Sequence, residues 1–126
     1  MKRLIFPIFL FFSMILFIVL GTNFSNNSCK ELKGISNKME IMIENNQWDE
    51  CYNTSIKLLD TWKISSKYLS IFINHSEIDS VNTEIWKLTQ YTKFKNKDES
   101  LACIHTIKFL MEHIKNIQKP SLQNIF

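Results

Sequence analysis

Hydrophobic residues follow two different patterns along this chain. The first is an unbroken apolar run from Leu4 to Gly21, LIFPIFLFFSMILFIVLG, which contains no charged residue. Eighteen helical residues rise about 27 Å, which is close to the hydrocarbon thickness of a thin bilayer. After residue 28 the pattern changes, and apolar residues recur at spacings of three and four, as in amphipathic α-helices. The two patterns predict a membrane-spanning helix followed by helices that pack together outside the lipid.

The charges that flank the apolar run predict its orientation. Lys2 and Arg3 precede the run, and the next basic residue is Lys30. Because basic residues stay on the cytoplasmic side, the N-terminus is expected in the cytoplasm and the remainder across the membrane. The expected organisation is a membrane anchor over residues 1–22, with residues 4–21 in the lipid, an extracytoplasmic helical domain over residues 23–120, and an apolar tail over residues 121–126.

A cleaved signal peptide is the alternative for the N-terminal segment. Its apolar run is longer than that of a signal peptide, which usually has about 7–15 residues. No Ala-x-Ala cleavage site follows the run. Val19-Leu20-Gly21 offers only a weak site. The pattern therefore favours a single-pass anchor in the cell membrane, and a secreted helical protein stays open as the second interpretation.

Four amphipathic stripes follow the apolar run. Ser28 with Glu31 resembles a capping box that would start the first helix, and Asn45-Asn46 is a plausible stop. Ser76 with Asp79 resembles a weaker start for the third helix. Pro120 ends the fourth helix. The stripes consist of Leu32, Ile35, Met39, Met42 and Ile43; of Trp48, Cys51, Ser55, Leu58, Trp62, Ser65, Leu69 and Phe72; of Ile78, Val81, Ile85 and Leu88, extended by Tyr91 and Phe94; and of Leu101, Ile104, Ile107, Met111, Ile114 and Ile117.

A weak internal repeat relates the two halves of this region. Residues 47–52, QWDECY, align with residues 96–101, NKDESL, at an offset of 49 residues, and both place acidic residues in the first turn of a helix. Two related helical hairpins that pack face to face would give an all-α fold, a short antiparallel four-helix bundle. A tandem of two solenoid-like repeats is the alternative, although two repeats would form a thin core.

The chain also resembles a known family over nearly its whole length. The resemblance rests on the apolar N-terminus, Trp48-Asp49-Glu50, the segment FINHSEID at 72–79, the segment KFLMEHI at 108–114, and the tail SLQNIF at 121–126. These segments resemble small membrane-anchored proteins of Clostridium-type Firmicutes, a family known only as a domain of unknown function. The resemblance implies a bacterial, single-pass, helical protein without an established activity. Cys51 and Ser100 stand where alanine is expected in relatives.

Composition narrows the function further. The chain has only two glycines and two prolines, which favours helices over turn-rich β folds. Its net charge is +3, and Lys2 and Arg3 belong to the apolar flank, so no basic face for nucleic acid is expected. A phosphate-binding loop, a nucleophile elbow and a Cys-x-x-Cys motif are all missing from the sequence. We therefore predict a protein that is not an enzyme, with no catalytic residue, cofactor or metal.

Histidines and cysteines provide the competing chemistry. A metal site would require His75 and His113 to meet near Glu77, Asp79 or Glu112, although none of the histidine spacings is that of a known zinc motif. Cys51 and Cys103 could form a disulfide outside the cytoplasm. The preferred interpretation is that Cys51 and Cys103 are small apolar core residues, since cysteine is frequently buried.

Partner contacts are expected at two places. Trp86 lies off the third stripe and should be partly exposed, whereas Trp48 and Trp62 lie on the packing seam. The tail ends in apolar residues (Leu122, Ile125 and Phe126), which would either fold back on the bundle or dock on another protein. The sequence therefore favours a non-enzymatic interaction or scaffold module at the cell envelope, which would contact another membrane or envelope protein, and leaves its oligomeric state open.

Overall fold

The computed structural model describes residues 2–117 of the chain, and these residues form four α-helices without a strand. The predicted all-α fold is confirmed. Pro120, Leu122, Ile125 and Phe126 lie outside the described residues. The helices are α1 (Lys2–Glu44), α2 (Trp48–Leu69), α3 (His75–Lys93) and α4 (Lys97–Ile117).

α1 joins the apolar run and the first bundle helix into one helix of 43 residues. The predicted helix start at Ser28 is therefore wrong. The polar residues after Asn23 do not interrupt the helix because Ser25 and Ser28 turn toward the bundle, where both are buried, while Asn23 and Asn27 face outward. Small serine side chains allow close packing, and a serine inside a helix has no free backbone N–H to cap.

The four helices pack in a ring, in chain order, as an antiparallel bundle. α1 lies against α2 and α4, and α3 lies against the same two helices, while no Cα atom of α1 comes within 8 Å of α3, nor one of α2 within 8 Å of α4. The predicted stripes form the core. Its largest fully buried side chains are Trp62, Leu32, Met39, Ile43, Leu58, Leu69, Ile85, Leu88, Ile104, Ile107, Met111 and Ile114.

Two equivalent turns close the hairpins at the end of the bundle farthest from the apolar half of α1. Asn46 has φ 59° and Lys95 has φ 58°, so both adopt the left-handed conformation. The next backbone N–H in each turn donates back into the helix, from Gln47 to Met42 and from Asn96 to Tyr91, each over 2.9 Å. This is the Schellman arrangement of a helix end. Because the two turns are 49 residues apart, they confirm the offset of the sequence repeat.

The connection between α2 and α3 differs from the prediction by a few residues. α2 ends at Leu69, so Phe72 lies in the connection rather than on the helical seam. Asn74 caps α3, and its side chain accepts a hydrogen bond from the Ser76 backbone N–H over 3.4 Å. Phe94 and Ile117, which the periodicity placed on apolar faces, are exposed because they lie at or beyond the ends of their helices, where no other helix of residues 2–117 covers them.

Candidate interaction surfaces

Trp86 lies on the outer surface of α3, with 57% of its area exposed. Trp62, by contrast, is completely buried, and Trp48 is half-buried against the core. Thr89 donates its hydroxyl to the Trp86 carbonyl over 2.6 Å, and a Glu84–Lys87 ion pair of 3.3 Å lies beside it on the same helix. The sequence thus predicted the environment of Trp86 correctly, while its role in binding stays a prediction.

A second apolar surface lies where the bundle meets the apolar half of α1, and the sequence analysis did not single it out. We define the junction patch as Phe24, Tyr68, Ile71 and Phe72. The Phe24 and Tyr68 rings meet edge to face with 5.6 Å between centroids. Phe72 packs on Phe17, at 5.3 Å between ring centroids. Tyr68 is 57% exposed and Ile71 is 65% exposed. The patch is therefore both apolar and accessible.

Gly21 allows the close approach in this patch. A Cβ atom added at Gly21 would overlap the Phe72 ring, so the ring rests where any other residue would place a side chain. Gly34, the other glycine of the chain, has no neighbour within 4 Å of such an atom. A signal for the patch did exist in the sequence: Ile64, Tyr68 and Ile71 recur at spacings of four and three residues, off the packing seam of α2, although Ile71 itself lies in the connection after α2.

His105 and His113 lie on different faces of α4, and each is close to a carboxylate of another helix. His105 Nε2 lies 3.3 Å from Glu40 of α1, and His113 Nε2 lies 3.3 Å from Glu77 of α3. Of the groups that the metal alternative requires to meet, His113 and Glu77 lie close together. No three residues of the His, Cys, Asp and Glu types come together in a metal-binding group within residues 2–117. His105 and His113 thus each lie near a single carboxylate, fewer groups than the three or four ligands of a zinc site, and His75 is exposed at the start of α3.

Ion pairs join α1 to α4 along their outer edge. Glu40 accepts hydrogen bonds from Lys108 and His105, and the Lys108 ammonium in particular lowers the pKa of the Glu40 carboxyl below its ordinary value. Lys33 pairs with Glu112 over 3.3 Å. The side chains remain partly accessible to water, so each pair contributes about 1 kcal/mol or less. These contacts therefore add little to the stability of the bundle.

A cleft of about 400 Å³ lies beside these ion pairs, between α1 and α4, and Lys30, Lys33 and Lys115 line it together with Glu112. Its local charge is positive. Lys33 is already engaged by Glu112, however, and no buried polar group points to a particular ligand. The cleft is a charged surface feature, and we assign it no chemistry.

All three cysteines are free and buried. Burial raises the pKa of Cys51 to about 11. It also raises that of Cys103 to about 12, with the nearby Glu84 adding to the shift, and it raises the pKa of Cys29. Cys51 and Cys103 lie on diagonal helices whose Cα atoms are more than 8 Å apart, beyond the about 7 Å that a disulfide tolerates. They are therefore inert core residues, as the preferred interpretation held.

Comparisons with known proteins identify a family but no activity. The family described as Domain of unknown function (DUF4363) matches residues 19–125, which is most of the chain. No curated protein and no solved structure matches this chain significantly. The resemblance drawn from the sequence is thereby confirmed as far as a family of unknown function is concerned. Its bacterial origin and its membrane anchoring stay predictions.

Proposed function

We propose that this chain, which belongs to the DUF4363 family of unknown function, is a membrane-anchored protein whose helical bundle serves as an interaction or scaffold module at the cell envelope. One observation carries the proposal. α1 is long and apolar enough to cross a membrane. Its large apolar side chains between Leu4 and Leu20 remain 41% to 69% exposed, since no other helix of the bundle covers them. Lipid suits such a surface, and this supports the proposed anchor.

This geometry supports an anchor better than a cleaved signal peptide. Cleavage at Val19-Leu20-Gly21 would remove Phe17, which packs on Phe72 of the bundle. It would also place a chain end beside Gly21, which is buried inside a continuous helix. The bundle therefore uses residues on both sides of the only cleavage site that the sequence suggests.

The proposed interaction role rests on confinement and on exposed apolar groups. Anchoring raises the effective concentration of the bundle toward other membrane proteins, so a small surface suffices for binding. Trp86 is the proposed contact on the bundle, because tryptophan is enriched among the residues that dominate binding energy. Leu122, Ile125 and Phe126 are the proposed contacts of the tail.

Topology is tested by labelling an engineered cysteine in intact cells. The native thiols are too buried to report it, so Phe94→Cys, which lies in the exposed far turn, is labelled with an impermeant maleimide. Labelling is expected in intact cells, whereas Arg3→Cys should require lysis. Recovery of a shortened chain from the culture fluid, or labelling of Phe94→Cys only after lysis, would contradict the proposal.

Partner binding is tested by photo-crosslinking from position 86. A crosslinkable residue there should capture an envelope protein, whereas the same residue at Asn53, an exposed polar position on α2, should not. Trp86→Ala and deletion of residues 121–126 should each reduce co-purification of the captured protein. Elemental analysis of the purified protein tests the metal alternative, because stoichiometric zinc would favour a site built on His113 and His75.

A further inference from the structure

We propose that the junction patch is a second membrane contact, which inserts into the lipid interface and seats the bundle against the bilayer surface. The inference rests on the proposed function, because it takes the apolar half of α1 to lie in lipid. It adds that the bundle does not stand free on a stalk: the connection between α2 and α3 is itself in contact with lipid.

Depth is the first argument. Phe17 lies four residues inside the end of the apolar run at Gly21, which corresponds to about 6 Å along the helix axis. The Phe72 ring packs on Phe17 and against Gly21. Because the Phe72 ring contacts the spanning helix at this level, the ring lies at the same depth in the bilayer as Phe17 and Gly21. If residues 4–21 occupy the hydrocarbon, the tip of the α2–α3 connection reaches the boundary between acyl chains and headgroups.

Composition is the second argument. Phe24 and Tyr68 pair edge to face just beyond the end of the apolar run, which is where aromatic residues concentrate in membrane proteins. The Tyr68 hydroxyl can remain hydrated while its ring enters the apolar layer. Ile71, at the tip, is 65% exposed and finds no covering helix among the described residues. Each of these side chains suits an interface between lipid and water.

Flanking charge is the third argument. Lys63 and Lys67 are exposed one helical turn apart on α2, and Lys67 precedes Tyr68 directly. Their aliphatic stems can lie along the apolar surface while the ammonium groups reach toward lipid phosphates. Ile64 and Tyr68 on α2, and Ile71 in the connection after it, thus lie beside these two lysines on the side of the bundle that faces the membrane in our proposal.

The patch is continuous with the spanning segment, and this decides its occupant. Phe17 and Leu20 on α1 adjoin Tyr68, Ile71 and Phe72 in one groove. A protein partner covering the patch would also have to displace lipid from the spanning helix. Lipid therefore covers both surfaces in our proposal, and a second copy of the chain or another protein is a competing outcome of the test.

The test places an environment-sensitive fluorophore on single engineered cysteines of the full chain in phosphatidylglycerol–phosphatidylethanolamine vesicles. The positions are Phe12→Cys in the anchor, Ile71→Cys in the patch and Phe94→Cys at the far turn. The native thiols are buried and do not compete for the label. We expect blue-shifted emission and quenching by spin-labelled lipid at positions 12 and 71, and water-like, unquenched emission at position 94.

The outcomes separate the inference from the proposed function. Quenching at position 12 with a water-like signal at position 71 overturns the junction patch as a membrane contact and leaves the anchor intact. Absence of quenching at position 12 overturns the anchor itself. A label at position 71 that is shielded from aqueous iodide yet unquenched by lipid shows a protein cover and also overturns the inference. Ile64→Cys, two turns farther from the anchor, provides a second reporter if Ile71→Cys fails to fold, and its quenching should be weaker than that at position 12 but stronger than that at position 94.

Discussion

The two halves of α1 have the same backbone conformation and opposite surroundings. Between Leu4 and Leu20 the helix is apolar all round, and its side chains are exposed along the whole length. From Gly21 to Glu44 it is amphipathic, and Leu32, Met39 and Ile43 are completely buried by α2 and α4. A helix that is apolar on every side suits lipid, whereas a helix with one apolar stripe suits a protein core. The backbone of one helix can therefore continue unchanged while the exposure of its side chains differs between its two halves.

The largest expected effect compares two leucines of this helix. Leu32→Ala should lower the free energy of unfolding of the bundle by about 2–5 kcal/mol, because Leu32 is fully buried and its truncation leaves a cavity. Leu16→Ala should leave bundle stability nearly unchanged, since the Leu16 side chain is 59% exposed and its truncation leaves no buried cavity. Denaturant unfolding of the full chain in mild detergent, followed by near-ultraviolet circular dichroism of the tryptophans, measures both. Equal losses of unfolding free energy in the two variants would contradict the proposed difference between the two halves of α1.

The second prediction introduces a charge into each half. Phe12→Arg should weaken membrane insertion by about 2.5–3.5 kcal/mol, the cost of an arginine near the centre of a spanning helix. Asn37→Arg, at an exposed position of the bundle half, should leave insertion unchanged. Carbonate extraction of membranes measures the fraction of each variant that stays inserted. Full retention of the Phe12→Arg chain would argue against a membrane-spanning segment.

The third prediction uses the two glycines of α1. Gly34→Ala should stabilise the bundle by about 1 kcal/mol, because it improves helix propensity in open space. Gly21→Ala gains the same propensity but pushes the Phe72 ring away, so the net change should be smaller or unfavourable. Thermal unfolding of the two variants compares them directly. A larger gain at position 21 than at position 34 would show that Phe72 does not pack on Gly21.

The smallest expected effect concerns the ion pairs of the bundle half. Glu40→Gln should cost about 0.2–1 kcal/mol at neutral pH, since Glu40 accepts hydrogen bonds from Lys108 and His105. The pKa of Glu40 is lowered in the folded protein, so its contribution is present above the unfolded pKa of about 4.3 and is lost as the pH falls through the folded value.

Glu31→Gln is the matched control for this prediction. Glu31 is an exposed carboxylate of the same helix half and has no ion pair in the described part of the chain. Unfolding of wild type and both variants is compared at several pH values between 3 and 7. The Glu40→Gln variant should approach wild type at the acid end, and a constant difference across the range would contradict the assignment.

Much of the fold was predictable because it depends on local periodicity. The stripes on α2, α3 and α4 identified most of the buried residues, from Leu58 and Trp62 to Ile85 and Ile107. The equivalent turns at Asn46 and Lys95 followed from the short repeat. Helix ends were less predictable. The capping signal at Ser28 lies inside α1, where Ser25 and Ser28 are buried against neighbouring helices. No local sequence pattern reveals that burial.

The candidate surfaces divide in the same way. The exposure of Trp86 followed from its position off an apolar stripe. The junction patch did not, because it depends on Phe72 reaching Phe17, a contact between residues 55 positions apart in sequence. The placement of the histidines also required the structure, since His105 and His113 share a helix but face α1 and α3 respectively.

The amino-acid sequence by itself determined that this protein has an uninterrupted apolar segment and four amphipathic stripes, since both are properties of neighbouring residues. Tertiary structure decided that the segment and the first stripe form one continuous helix, that Cys51 and Cys103 lie too far apart to pair, and that an apolar patch adjoins the apolar half of α1. The physical reason is that these three results depend on distances between helices, and such distances are set by the packing of the whole core.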